Sequence, residues 1–506
     1  MVEVRSPSDV HGRGDLGRCT FPTAVARANV PTVNVIVPVA DHVAAAADLV
    51  RRFRELPPDV RVRLGKPSSN LFRFGAPPPT LDASGLSGVI AVDPVARTAD
   101  VAGMTTYEDL VDATLPHGLT PLVVPQLKTI TLGGAVAGLG IESTSFRHGL
   151  PHESVREMEI LTGSGDVVTA TPDGEHADLY RGFPNSYGTL GYALRLVIDL
   201  QPVTPYVRLH HRRYPDAQAC TDAIVELAGR GLQESHFHAA TPRESGFPAT
   251  GAMVDFLDGT VFDPGEQYLT TGEFVEALPP GVTASDYTGQ QIFYRSQQRR
   301  EVDHLTVRDY IWRWDTDWFW CSRALGVQHP VIRRLWPGRY RRSDVYRRIV
   351  ALDRRHGFSD RLNTLRRRPV EEPVVQDVEI PARNLPAFLE GFHRDIGISP
   401  VWLCPLRLRS GRPWTLYPMR PGELYVNVGF WSSVPGRPEE PDAHNRRIEQ
   451  LVTDLDGHKS LYSTVHYGED EFWKHYNGPA YRALKQRYDP RGRLPDLYSK
   501  VAGQGR

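Results

Sequence analysis

The sequence predicts an α+β fold, and three observations carry that reading. Short apolar strands alternate with helices over the first 200 residues, glycine-bearing loops interrupt them at 65–70 and 133–140, and β character returns at 424–428. The chain divides into residues 1–205, residues 206–455 and a closing segment, 456–506. Pro202 and Pro205 mark the first boundary.

The elements follow in order. Residues 32–36 form a short apolar strand, and 40–56 show helical spacing of Val43, Ala46, Ala47, Val50 and Phe53. A strand at 60–64 feeds Gly65-Lys66-Pro67-Ser68-Ser69-Asn70, whose small residues free the backbone to bend and turn amides toward an anion. Strands at 89–93 and 98–101 precede a helix at 106–115. Residues 129–140 end in a run of small side chains that lets a ligand or another chain approach the backbone closely. Strands at 158–161 and 166–171 flank Thr162-Gly163-Ser164-Gly165 as a hairpin, and Asn185 to Gly191 leads into a strand at 193–200. The middle is less periodic, with a strand at 236–238, tryptophans at 312, 314, 318 and 320, and an arginine-dense stretch at 333–368. After the strand at 424–428 an acidic helix start falls near Asp442, and a tyrosine-rich stretch closes the chain.

Composition narrows the function. The chain has 506 residues, 59 basic and 60 acidic, for a net charge of -1. That length allows about two to four domains. Near-neutrality excludes a protein that coats nucleic acid, and the supply of aromatic and aliphatic residues excludes intrinsic disorder. The four cysteines, Cys19, Cys220, Cys321 and Cys404, have no metal or redox spacing and suit a reducing compartment. Residues 1–15 mix charges without an apolar run, and 30–50 are broken by Pro31, Pro38, Asp41, His42 and Asp48. A cytoplasmic protein is expected.

The pyrophosphate of a dinucleotide needs donors, and glycine-rich turns supply amides without side-chain bulk. Two separated loops, 65–70 and 133–140, therefore suggest one extended nucleotide cofactor spanning both. The alternative is that these glycines only make turns and tight packing. Neither a Rossmann fingerprint nor a Walker loop is present.

The order of motifs goes further. Residues 129–149, then Glu157 to Asp166, then Tyr187-Gly188-Thr189-Leu190-Gly191, resemble the FAD-binding domain of the vanillyl-alcohol-oxidase superfamily, whose FAD domain is of the PCMH type. Pro400-Val401-Trp402-Leu403-Cys404-Pro405, Glu423 to Gly429, Glu471-Phe472-Trp473 and Pro495 to Lys500 are similar to its sterol Δ24-reductase branch. The likeness runs from about 62 to 501 and is thin between 205 and 400. It implies a two-subdomain FAD domain (1–205), an α+β substrate or cap domain (206–455) and a C-terminal segment (456–506) that returns to close the flavin site. Eukaryotic members of the branch begin with a membrane anchor, for which residues 1–15 show no apolar run.

Carried over by position, Gly65, Lys66, Pro67, Ser68, Ser69 and Asn70 hold the pyrophosphate from one side. Gly133, Gly134, Gly138, Gly140, Ile141 and Ser145 approach from the other, and Gly191, Tyr192 and Ala193 lie near the cofactor. With no His or Cys in the first loop, the resemblance implies non-covalent FAD. The implied chemistry is reduction of an isolated C=C bond in a prenyl, terpenoid or sterol-like molecule, with NAD(P)H as electron donor. Such an alkene has no carbonyl to polarise, so a positioned acid is required, and a carboxyl among apolar neighbours has its pKa raised toward working pH. Glu142 is the first candidate, against a turn cap or a pair with Arg147; Tyr462, His466 and Tyr467 are the second. Tyr425 and Asn427 share a strand face and are candidate substrate contacts.

Other features receive plainer readings. His236 and His238 share a strand face but have no third ligand nearby, so no metal site is expected. The tryptophans read as core, with an apolar pocket wall as the second reading. The arginine-dense stretch reads as a solvated helical face with Asp344, Asp353 and Asp360, and contact with anionic lipid or a phosphorylated substrate is the second reading. The rivals to a C=C reductase are an FAD oxidase or dehydrogenase of an alcohol or sugar, and a non-catalytic membrane-associated scaffold.

Overall fold

The computed structural model describes residues 36–66, 81–233, 254–356 and 370–502. Two antiparallel sheets organise them. The first runs Val89–Asp93, Thr98–Ala102, Tyr192–Pro202, Val155–Leu161, Val167–Ala170, with Leu119–Pro121 paired to the far end of Tyr192–Pro202. Its hairpin, Val155–Leu161 with Val167–Ala170, turns through Gly165 at φ +88°. The helix Tyr107–Thr114 starts where the Thr106 hydroxyl accepts the Asp109 amide, and it buries Tyr107, Leu110 and Val111 against this sheet. Each such side chain contributes roughly 1.5–3 kcal/mol.

The helix Val39–Glu55 and the two-stranded Leu64–Gly65/Leu81–Asp82 pair form a smaller layer around Leu49, Phe53 and Val62. The expected strand at 60–64 shrinks to Leu64–Gly65, because Pro57 and Pro58 just before it favour a turn. Of the strand expected at 32–36, only Ile36 lies within the described residues, where it bridges Val89.

The second sheet has eight antiparallel strands, in the order Val302–Thr306, Tyr206–Tyr214, Glu266–Val275, Phe256–Asp263, Val401–Leu406, Tyr425–Pro435, Glu371–Pro381, His458–Lys459. The crossing from the first sheet to the second falls between Pro202 and Tyr206. Period-two alternation gives this sheet two different faces. Val374, Val378, Ile380, Val401, Leu403, Val426, Val428 and Phe430 pack under the helices Ala217–Gln233, Leu385–Asp395 and Ala443–Asp454. The intervening residues Asp377, Trp402, Asn427 and Trp431 face the other way, toward the first domain.

After His458–Lys459 the chain returns to the first domain. Lys485 Nζ donates to the carbonyls of Thr189, Leu494 and Pro495, the Arg493 guanidinium to that of Phe53, and Lys500 Nζ to that of Tyr187. A Cβ on Gly163 would lie 2.3 Å from the Asp489 carboxylate, so the hairpin turn and this segment meet at a site open only to glycine.

The four tryptophans are buried as core, but the stretch that carries them is not a helix. Residues 312–320 wind as successive turns, with Trp318 at φ 46° and Phe319 at φ 59°. Bulky residues in that region cost of order 1–3 kcal/mol each, so the surrounding packing holds them there. The arginine-dense stretch departs in part: the exposed Arg348 pairs with Asp344 on the helix Ser343–His356, as expected, but two other arginines are drawn inward. Arg333 is buried in a two-pronged pair with Asp317, and Arg342 reaches Glu108 of the first domain with both terminal nitrogens. These two side chains fasten elements together rather than face solvent. Residues 357–369, with Asp360, and the His236–His238 pair lie outside the described residues.

Candidate active site

Between the first sheet and the polar face of the second lies a cavity of about 420 Å³. One wall is main chain and small residues: Gly65, Gly133, Gly134, Gly140, Ile141, Gly188, Gly191 and Ala193. The opposite wall is aromatic, with Trp318, Phe319, Trp402 and Trp431. Phe319 stacks on Trp431 at 4.2 Å and on Trp314 at 4.8 Å, which explains how the strained turn is held.

The small wall is shaped by contact. A Cβ on Gly133 would lie 2.6 Å from the Gly103 carbonyl, and one on Gly134 would lie 2.7 Å from Thr131 Oγ1 and 3.0 Å from Lys66 Nζ. Gly191 sits at φ +154°, with Ile160 and Leu161 within 2.8 Å of any added Cβ. The amides of Gly133 and Gly134 are already bonded, to Gly103 O at 2.9 Å and Thr131 Oγ1 at 3.2 Å. This corrects the expectation that these two amides neutralise a pyrophosphate: the two glycines provide room.

Charge is supplied by side chains instead. Arg63, Lys66 and Lys500 line the cavity against a single carboxylate, Asp377, among the described residues. Lys66 Nζ makes a long 3.4 Å bond to Thr131 Oγ1, and burial together with nearby Arg347 pulls its pKa down to about 8. An anion beside Lys66 relieves that penalty, so the residues present fit the diphosphate of FAD against a wall open enough for a flat ring. No His or Cys lines the cavity among the described residues.

The one carboxylate sits across the cavity from the small wall. Asp377 lies opposite Gly429 in the sheet register, where a Cβ would come within 2.4 Å of its Oδ1. Asn427 Nδ2 donates to Asp377 Oδ1 at 2.9 Å, Tyr462 hydrogen-bonds the same carboxyl, and Trp431 Nε1 donates to Tyr462 Oη at 3.1 Å. Burial outweighs these bonds and lifts the Asp377 pKa to about 6. Burial also drives the Tyr462 phenol well above its ordinary value.

The sequence-derived candidates divide. Gly65, Lys66, Gly133, Gly134, Gly140, Ile141, Gly191, Tyr192, Ala193, Asn427 and Tyr462 all line this cavity. Gly138 and Ser145 do not: Gly138 packs under the Tyr187 ring, and Ser145 Oγ accepts the Glu142 amide. Pro67, Ser68, Ser69 and Asn70 lie outside the described residues. Tyr425 shares the strand face of Asn427 but spends its hydroxyl on Glu423 and the Arg420 amide. His466 is held through its amide by Glu449, and Tyr467 packs on His475 while its hydroxyl bonds the Glu449 carbonyl.

Glu142 is the main displacement from expectation. Its carboxylate is 2.7 Å from Arg313, which also holds Asp258 at 2.9 Å, and Ser143 Oγ donates to it at 2.8 Å. Trp314 and Trp402 each donate an indole N–H to Asp258. Arg147, the alternative partner, pairs with Asp255 instead. Glu142 thus belongs to a buried ionic network behind the cavity wall and is not among the lining residues. Sequence reading missed Asp377, which stands in a strand that also carries Glu371, Glu372, Gln376 and Glu379, so its one signal was a carboxylate on the face opposite Val374, Val378 and Ile380.

Comparison with known proteins agrees with this geometry. The model of an FAD binding domain matches residues 39–171. The chain is 26% identical over 431 residues to a Δ24-sterol reductase from Macaca fascicularis, covering 83% of this chain and 77% of the relative. It is 26% identical over 461 residues to one from Arabidopsis thaliana, covering 83% and 76%. A cytokinin dehydrogenase 2 from Oryza sativa subsp. japonica is 29% identical over 172 residues, 34% of this chain and 28% of that protein.

Fold, cavity and matched domain define an FAD-dependent oxidoreductase. Within that class, the chain is a PCMH-type flavoprotein similar to the Δ24-sterol reductases along both of its sheets.

Proposed function

We propose that this protein reduces an isolated carbon–carbon double bond of a sterol or prenyl-type substrate, with non-covalent FAD as cofactor and NAD(P)H as donor, in the cytoplasm. The observation that supports this most is one buried acid facing a small, cation-flanked wall across an otherwise aromatic cavity. Likeness to the reductases spans 83% of the chain, whereas likeness to the dehydrogenase covers only 34%. The shared FAD domain explains the second; the first includes the wall that carries Asp377.

FAD, when bound, supplies the hydride chemistry that links the donor to the alkene. The chain's own residues supply the proton. Asp377 holds it at a carboxyl whose pKa of about 6 keeps transfer to carbon feasible near neutral pH, and apolar substrate expelling water raises that pKa further. Tyr462 and Asn427 fix the carboxyl's orientation. As the proton arrives, positive charge grows on the other alkene carbon, and the indole rings of Trp318, Trp402 and Trp431 that line the cavity are suited to stabilise it. One hydride and one proton add across the bond, and Asp377 recovers its proton from water after product leaves.

The test separates the two half-reactions. Asp377→Asn is expected to leave flavin bleaching by NAD(P)H unchanged while slowing reoxidation by alkene by about 10²- to 10⁴-fold. Reoxidation at the wild-type rate removes Asp377 from the role. Bleaching by an alcohol, with none by NAD(P)H, favours the oxidase reading.

A further inference from the structure

The short helix Pro330–Leu335 is inside out. Its charged Arg333 is 4% exposed, whereas Leu335 is 77%, Val331 60% and Ile332 41% exposed. Tyr340 and, on the following helix Ser343–His356, Leu352 add to the apolar surface at 44% and 55%. Isolated exposed apolar residues need no explanation, but here five fall within 22 residues on three successive helical segments, and concentrations of exposed apolar surface mark contact surfaces.

The same stretch concentrates charge. Residues 330–356 hold nine arginines and two aspartates, 9 − 2 = +7, in a chain whose net charge is -1. Arg333 and Arg342 are used internally by Asp317, Glu108 and Asp344. Arg334, Arg339 and Arg348 lie among the exposed apolar residues, and the Arg339 guanidinium lies over the Tyr340 ring.

We propose that this face docks on an anionic lipid bilayer. The boundary between headgroups and acyl chains meets both demands of the patch, hydrocarbon for Val331, Ile332, Leu335 and Leu352 and phosphate for the arginines. A second copy is a poor occupant, since a two-fold contact sets this basic face, with the exposed Arg334, Arg339 and Arg348, against itself. Nucleic acid offers phosphate but nothing for Leu335.

The face also adjoins the cavity. Trp318, which lines it, packs in one apolar cluster with Val327, Tyr346, Trp336 and Val350, so the docking helices back the aromatic wall. Resting on the function proposed above, the consequence is that an apolar substrate leaves the bilayer beside the site that reduces it.

The test is co-sedimentation of the full-length protein with vesicles of phosphatidylcholine alone or with 30% phosphatidylserine. The expected result is binding to the anionic vesicles that falls with added salt, weakens about fivefold in each of Arg334→Gln and Arg348→Gln, and is lost in Val331→Glu/Leu335→Glu. Equal binding to neutral and anionic vesicles, or undiminished binding by the double variant, overturns the proposal. So does a salt-sensitive complex with duplex DNA as tight as that with vesicles, or a stable dimer that the double variant dissolves. All variants are expected to keep the wild-type flavin spectrum and its bleaching by NAD(P)H, so failure of docking and failure of the reductase reading give different results.

Discussion

Replacing Asp377 by Asn should stabilise the protein, by an amount that depends on pH. The carboxyl ionises near 3.8 when exposed and near 6 in the fold, because burial there opposes its charge. The folded state therefore binds the proton more tightly than the unfolded state, and stability is lost as pH rises between those values. The full difference, 6 − 3.8 = 2.2 pH units at 1.36 kcal/mol each, is about 3 kcal/mol above pH 7. At pH 5 the same relation leaves about 1.5 kcal/mol. Asparagine keeps the shape and one acceptor oxygen, for Asn427, with its amide facing the Tyr462 oxygen, and has no charge to bury. Denaturant titrations of both proteins at pH 5 and pH 8 are expected to show the variant more stable at both, with the larger gap at pH 8. A gap that is constant or reversed with pH would refute the reasoning that Asp377 is a strained, functionally retained acid.

Other substitutions probe the remaining parts. Glu142→Gln is expected to leave alkene reduction within a few-fold of wild type, since Glu142 serves Arg313, whereas Arg313→Met should cost about 3–5 kcal/mol in a denaturation assay by stranding two buried carboxylates. Gly191→Ala forces a Cβ to 2.5 Å from Ile160 at φ +154°, so the purified protein should retain less FAD and unfold about 1–3 kcal/mol more easily. FAD affinity measured by flavin fluorescence should weaken above pH 8 as Lys66 loses its proton, and Lys66→Met should weaken it at every pH and abolish that dependence.

Much of the first domain was legible because its signals are local. Gly163-Ser164-Gly165 announces the hairpin, Thr106 caps its helix, and the glycines at 133, 134, 140 and 191 line the cavity where the motif order placed them. What was hidden depends on pairing between distant strands. Asp377, Asn427 and Trp402 become neighbours only through the register of three strands. Glu142 looked catalytic because it follows the glycine run, yet its partner Arg313 is 171 residues away. The tryptophans read as core and all four are buried, but nothing local showed that Trp318 and Phe319 adopt positive φ and turn toward the cavity.

The central claim is that hydride chemistry at the small wall and a proton from Asp377 together saturate an alkene. The most direct measurement mixes protein loaded with FAD and reduced anaerobically by NAD(P)H with a sterol bearing an isolated side-chain double bond, and follows flavin absorbance while the product is weighed by mass spectrometry. The expected result is reoxidation matched by a product two mass units heavier, with a rate that falls tenfold per pH unit above the apparent pKa of the acid and is slowed strongly in Asp377→Asn. Reoxidation by oxygen alone, with the sterol recovered unchanged, would contradict the account.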